Sequence, residues 1–257
     1  MIRQGYYHNE FKAMGIAARN KDRIASRQPV AFVLASNLAG AFIGFGVLLA
    51  FTVGGMIDAP WAKLIMGCVF GIALSLVAIC GAELFTGNNM VLMSGKLQHQ
   101  ITTKRMLKLW AACWLGNLAG SLVLALLFQL SGLNGGSTLF AIGTAAMAKV
   151  TAAPLELFIR GILCNILVCL AVWSGYRTKS DTAKLIMIFW CLLAFFTTGF
   201  EHSVANMTLL TVAKLGNVIS MWQLIYNLVI VTAGNLVGGV LLAYIYNVMS
   251  IGTTERQ

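Results

Sequence analysis

The chain has 257 residues, 59% of them hydrophobic and 10% charged, with a mean hydropathy of +0.82. These values exclude a water-soluble globular domain and point to a membrane-embedded one. The formal net charge of +10 would suit a nucleic-acid surface, but the basic residues gather before and between apolar stretches, which excludes that partner and makes the lipid bilayer the surroundings.

In chain order, residues 8–26 carry Phe11, Met14, Ile16, Ala17 and Ile24 among basic residues, the pattern of an amphipathic helix on a membrane interface. No cleavable signal sequence is expected in this polar, basic segment. Pro29 starts a first span over about 30–56, whose Gly40, Gly44 and Gly46 suit close helix contact. A second span over about 62–80 breaks at Glu83 and resumes around 88–95. A third covers about 106–130. A Gly/Ser/Asn-rich turn over 131–137 follows, then a partly ordered, re-entrant segment to Lys149. Pro154 starts the fourth span, which ends near Trp173. The fifth covers about 183–199, breaks at Glu201 and continues to about 213. The sixth covers about 222–249. The division is therefore 1–28, an amphipathic N-terminal helix; 29–249, the membrane domain, with one repeat over 29–130 and a second over 154–249; and 250–257, a polar tail.

Fourteen Lys and Arg residues fall in segments expected on one side, and Lys63, Lys149 and Lys214 on the other; Arg160 lies near a helix start. The richer side is cytoplasmic by the positive-inside rule, so both termini are inside. All six cysteines lie in apolar runs without metal-ligand or redox spacing and are expected to be buried hydrophobes. Neither a metal nor a cofactor is called for. No phosphate-binding loop, dinucleotide fingerprint, nucleophile elbow or HExxH motif is present.

The informative feature is internal. Gly81-Ala-Glu-Leu-Phe-Thr-Gly-Asn-Asn89 recurs in altered form as Gly199-Phe-Glu-His-Ser-Val-Ala-Asn-Met207. Gly81/Gly199, Glu83/Glu201 and Asn88/Asn206 coincide at a displacement of 118 residues, and Gly116-Asn-Leu-Ala-Gly120 and Gly234-Asn-Leu-Val-Gly238 keep that displacement. The chain reads as two diverged copies of a three-span unit, the second entering the bilayer from the opposite face. Interrupted spans at matching positions in two halves mark a transport site.

His202 is the one histidine expected at membrane depth, where it can donate to an anion or pass a proton; a core imidazole bonded to a carbonyl is the plain alternative. Glu83 and Glu201 are expected to accept backbone N–H groups freed at each break, with acid/base chemistry as the other reading. Thr86 is a hydroxyl donor or a helix cap. Lys149 is a funnel for anions or an idle surface cation. Phe70, Leu74, Leu84, Phe85, Val168 and Phe195 could narrow a pore or simply pack the core.

At these residues the chain resembles the formate/nitrite transporter family. The resemblance covers nearly all of 28–249. It rests on Glu83-Leu-Phe-Thr-Gly-Asn88, Trp114-Leu-Gly-Asn117, Lys149, Gly161-Ile-Leu-Cys-Asn165, Leu167-Val-Cys-Leu-Ala-Val-Trp173 and Gly199 to Met207. It implies an all-α, aquaporin-like protomer of six transmembrane helices in two inverted repeats, with helices 2 and 5 broken, assembled as a homopentamer in the bacterial inner membrane. It implies no enzyme activity, and small monovalent anions of weak acids as substrates. Carried over by motif, the central histidine is His202, the broken-loop threonine Thr86, the entrance lysine Lys149, the pore asparagine Asn165, the buried acid Glu201, and the break asparagines Asn206 and Asn88. Phe70, Leu74 and Leu84 map to a constriction on the cytoplasmic side, and Phe85, Val168 and Phe195 to one on the far side. Gly87, the 151–154 run and the 190–195 run resemble the nitrite branch, which puts nitrite first, with hydrosulfide and formate as alternatives and proton linkage open. An intramembrane enzyme would need a second catalytic partner for His202 and Glu201. A water or glycerol channel would carry Asn-Pro pairs, which the sequence lacks.

Overall fold

The computed structural model describes residues 5–251. The expected tail, from residue 252 on, lies outside the described residues, as do Arg3 and Arg256. Every described element is an α-helix: α1 His8–Arg27, α2 Pro29–Met56, α3 Ala62–Phe70, α4 Ile72–Cys80, α5 Phe85–Leu97, α6 Thr103–Leu130, α7 Gly136–Thr151, α8 Pro154–Arg177, α9 Asp181–Thr198, α10 Ser203–Leu215 and α11 Met221–Ser250. Six segments are long and apolar enough to cross a bilayer: α2, the α3–α4 run, α6, α8, α9 and α11. The protein is a multi-pass helical bundle.

Local chemistry sets the boundaries. Pro29 and Pro154 open α2 and α8, where a missing N–H is harmless. The Thr102 and Ser180 hydroxyls accept from Arg105 and Ala183 N–H, and Ser220 with Gln223 forms a capping box on α11. The broken spans resume earlier than the sequence suggests. Helix α5 starts at Phe85 rather than near 88, so only residues 81–84 are non-helical, and on the other side only 199–202 are. Gly81 and Gly199 end the preceding helices at φ +78° and +87°, a region L side chains rarely adopt.

Helix α7 corrects the expectation of a partly ordered segment before Lys149. It is a complete 16-residue helix with Ile142, Gly143, Ala146 and Val150 buried on one stripe. The residues read as loop-formers are small, and small residues let that stripe seat against α2 and α10. The cysteines also divide: four are buried, Cys68 is half-buried and Cys80 is exposed.

Two glycine-lined seams hold the bundle. A Cβ at Gly40 would lie 2.0 Å from the Asn117 carbonyl oxygen, and one at Gly120 1.8 Å from that of Asn37, so α6 meets α2 backbone to backbone. A Cβ at Gly234 would lie 2.3 Å from the Phe158 oxygen, and one at Gly238 2.4 Å from that of Ile162, so α11 meets α8 likewise. The two ends of the described segment sit at one face. Gly5 abuts the Met249–Ile251 backbone, His8 Nδ1 lies 3.2 Å from the Ser250 oxygen, and α1 is tied across that face by Asp22 to Arg105 at 2.5 Å.

Gly120→Val should force the α2–α6 seam apart, at about 1–3 kcal/mol or more. Gly135, with nothing within 4 Å of an added Cβ and no left-handed φ, is the control. Thermal unfolding of detergent-purified protein should show Gly120→Val clearly destabilised or unrecoverable and Gly135→Ala near wild type.

Candidate functional site

Each break is closed by an asparagine on the helix that follows the broken span. Asn117 on α6 accepts the Phe85 N–H through Oδ1 at 2.9 Å and donates through Nδ2 to the Ser36 oxygen at 2.7 Å and the Glu83 oxygen at 2.9 Å. Asn235 on α11 repeats this, accepting the Ser203 N–H at 2.8 Å and donating to the Gly161 and Glu201 oxygens at 2.8 Å each. Beside them, the Glu83 N–H donates to Ala35 and the Glu201 N–H to Arg160. Both asparagines are fully buried. These residues were missed as functional in the sequence, although the repeated Gly-Asn-Leu triplets marked their positions.

The glutamates are therefore not the acceptors of freed backbone N–H groups expected above. The asparagine amides fill that role, and the carboxylates turn outward to lysines. Glu201 Oε1 accepts from Lys149 Nζ at 2.9 Å, and Oε2 from Asn206 Nδ2 at 2.6 Å. Asn206 also donates to Asn227 Oδ1 at 2.8 Å, and Asn227 Nδ2 donates to the Lys149 carbonyl oxygen at 3.1 Å, which closes a ring of hydrogen bonds. On the opposite side, Lys21 of α1 donates to both Glu83 oxygens, at 2.7 and 2.6 Å, and Asn88 Nδ2 donates to Oε2 at 2.9 Å. Lys21 is a further site residue that the sequence did not single out.

Helix α5 runs from mid-chain depth toward α1, where Gly95 packs on Ala18. Helix α10 runs the other way, toward α7, where Gly216 packs on Leu139. Their N-termini, the positive ends of both helix dipoles, face each other across one hydrogen bond, Thr86 Oγ1 to His202 Nε2 at 2.9 Å. His202 is the N-cap of α10, and its Nδ1 accepts the Ala205 N–H at 3.1 Å. That bond places the imidazole proton on Nε2, which donates to Thr86 and leaves the Thr86 hydroxyl hydrogen free. An imidazolium would have to give up the cap. The ring also stacks on Phe195, with centroids 5.8 Å apart. Both residues are buried.

Two cavities open on either side of this pair. One, of about 740 Å³, lies toward the far end of α2 and is lined by Lys149, Glu201, His202, Asn206, Phe70 and Phe195 among others. The other, of about 640 Å³, lies toward α1 and is lined by Lys21, Glu83, Asn88, Leu74 and Leu84 among others. Phe70, expected with Leu74 and Leu84, belongs instead to the first cavity, its ring 5.7 Å from Phe195. It precedes Gly71 by one residue, and that position on the α3–α4 run faces the other end. Phe85 and Val168 are buried and line neither cavity. Asn165 does not line either one. It is fully buried in the α8–α11 seam, donating to the Asn235 oxygen.

A helical membrane bundle with two charged vestibules meeting at opposed half-helices is built to pass a small solute. The formate/nitrite transporter family model matches residues 11–249, and the chain belongs to that family. The nitrite transporter NirC of Salmonella typhimurium (strain LT2) is 44% identical over 226 residues, covering 85% of this chain and 82% of that protein. The Escherichia coli (strain K12) NirC is 43% identical over 225 residues, 84% and 82% of the two chains. The formate channel FocA of Haemophilus influenzae is 34% identical over 242 residues, 84% of each. Among solved structures, an FNT family ion channel superposes with a TM-score of 0.88 at 40% identity, covering 93% and 98% of the two chains. A pentameric formate channel with formate bound gives 0.79 at 29% identity, covering 87% and 97%.

Asn235→Leu removes three hydrogen bonds to buried backbone groups, each worth about 1–3 kcal/mol once left unpaired. Thermal unfolding of purified protein should fall well below wild type. Asn235→Asp, which accepts but cannot donate to both carbonyls, should fall too, although it is nearly isosteric.

Proposed function

We propose that the protein is a homopentameric inner-membrane channel for small monovalent anions of weak acids, nitrite first, with hydrosulfide and formate as alternatives. Each protomer holds its own pore, with α2–α6 and α8–α11 as inverted three-span repeats interrupted at the second span of each. Both termini face the cytoplasm, so the Lys21 vestibule is inner and the Lys149 vestibule outer. The observation that carries this reading is the Thr86–His202 pair, two donors at opposed helix N-termini with a lysine-guarded vestibule on each side. The likeness to NirC proteins and to a formate channel supports the substrate class.

The mechanism follows from what an anion loses in low dielectric. A bare charge is heavily penalised there unless it is paired or neutralised. Lys149 and Lys21 raise the anion concentration at the two mouths. At the collar made by Phe70 and Phe195 on one side and by Leu74 and Leu84 on the other, water is shed. The free Thr86 hydroxyl hydrogen replaces it as first donor, the His202 Nε2–H becomes a second as the anion takes the place of Thr86 on it, and the two half-helix dipoles add to their field. In the proton-linked form, the anion takes a proton from vestibule water, crosses near neutral, and returns it beyond the collar. His202 then acts as a fixed donor, since its Nδ1 is held by the Ala205 N–H.

Nitrite, formate and hydrosulfide flux into proteoliposomes tests the reading. His202→Phe keeps the ring but loses both the donor and the cap, and flux should drop about tenfold or more. His202→Asn keeps a donor and an N-cap side chain; it should conduct within about fivefold of wild type, with an unchanged pH profile. Wild type passing none of the three anions sinks the proposal, and both variants matching wild type in rate would reduce His202 to a core residue.

Sidedness has its own measurement. A cysteine placed at Lys149 should react with an impermeant thiol reagent added outside intact cells, and labelling only from the cytoplasmic side would reverse the orientation.

A further inference from the structure

The two vestibules share one plan and differ in one pairing. Each holds a lysine from the helix before its bundle, bonded to the break glutamate: Lys21 to Glu83 and Lys149 to Glu201. Each is also lined by a lysine from the first turn of the other half's broken span, Lys184 of α9 in one and Lys63 of α3 in the other. Lys184 is held by Asp181 Oδ1 at 2.9 Å, one helical turn away. Lys63 makes no ion pair or hydrogen bond among the described residues. Its ammonium reaches over the break itself, where a Cβ at Gly199 would lie 2.8 Å from Nζ.

Lys63 is exposed at the cavity mouth, and the rest of the outer vestibule's charge is ion-paired or lies at the rim. Lys149 is taken by Glu201, and Arg160 by Glu156 at 2.8 Å on the surface. Asp58 lines the rim and is exposed. An anion approaching the Thr86–His202 pair from this side must pass the Lys149–Glu201 pair, whose opposite charges offset each other. Lys63 is the cation left over to hold it there, its ammonium beside Gly199, two residues before that carboxylate in the chain.

We propose that Lys63 forms an anion-staging subsite with the Gly199 turn, taking the same small monovalent anion one step before the Lys149–Glu201 pair. The subsite gives the α3 mouth tighter capture than the α9 mouth, where Asp181 silences the equivalent lysine. It rests on the anion-channel reading above and adds a residue and an asymmetry to it. Net direction is still set by the gradients; the lysine changes half-saturation at its own mouth. Gly199 is fixed twice, by its φ of +87° and by the ammonium above it.

The test is nitrite flux through the full-length protein in proteoliposomes sorted by orientation, read from each side at low and high ionic strength. Lys63→Met should raise half-saturation from the α3 side by roughly threefold or more at low salt, leave the maximal rate unchanged, and lose its effect at high salt. Lys63→Arg should restore most of the difference. Asp181→Asn, which frees Lys184, should lower half-saturation from the opposite side. The proposal is overturned if Lys63→Met matches wild type at low salt, if it lowers the maximal rate alone, or if it acts equally from both sides. Wild type passing no nitrite, formate or hydrosulfide sinks the channel reading and this one with it, whereas the variant outcomes overturn this one alone.

Discussion

Peptide groups in hydrocarbon must be hydrogen-bonded, and a helix interrupted at membrane depth leaves several without partners. Everything distinctive in this molecule depends on how two such interruptions are repaired. One asparagine per break, Asn117 or Asn235, takes a helix N-terminal N–H and two carbonyls from two different segments. A primary amide is the one uncharged side-chain group that can donate twice and accept at once from a single planar head. The glycine seams matter for the same reason. Only backbone-to-backbone contact of α6 with α2, and of α11 with α8, brings so short a side chain within reach of both strands of the break.

That repair frees the acids. Were Glu83 and Glu201 needed to hold backbone N–H groups, they would be locked at mid-depth. Instead each carboxylate faces a lysine at the bottom of a vestibule, and the half-helix N-termini behind it stay unblocked. The central pair inherits a field from two opposed dipoles, with no formal charge placed in the narrowest section. His202 contributes a directed N–H because its other nitrogen is occupied by the cap of its own helix.

The spans were legible in the sequence because lipid exposure demands long apolar runs, and the breaks because polar residues interrupt those runs. The repeat displacement located Glu83, Glu201 and the two asparagine-bearing triplets. It did not reveal what Asn117 and Asn235 do, since a spacing of residues carries no information about which distant carbonyl an amide meets. Lys21 escaped for a different reason. It lies 128 residues before Lys149, not 118, because it sits farther back on its helix from the following proline and α2, at 28 residues, is longer than α8, at 24, and it sits among several other basic residues of an amphipathic helix. Phe70 went to the other cavity because it and Leu74, four residues apart, share a helix face but lie about 6 Å apart along the axis, and a face pattern does not say on which side of the narrow section each falls. Helix α7 was expected to be only partly ordered because its small residues give little apolar periodicity, and small residues make close helix contacts in a bilayer.

Each brace is separated from the amide it receives by 32 residues of chain, in both halves. During synthesis the chain emerges in order, so the broken span is made well before its asparagine. Until α6, and later α11, has been produced, the Phe85 or Ser203 N–H and the Glu83 or Glu201 carbonyl lack the amide that pairs them, and lipid offers none. The broken span and the helix after it therefore have to leave the insertion machinery as one unit, and the half-made intermediate is held where water or the translocon can still bond it. The pore is thereby shielded from premature release by the same long-range contact that later keeps it open.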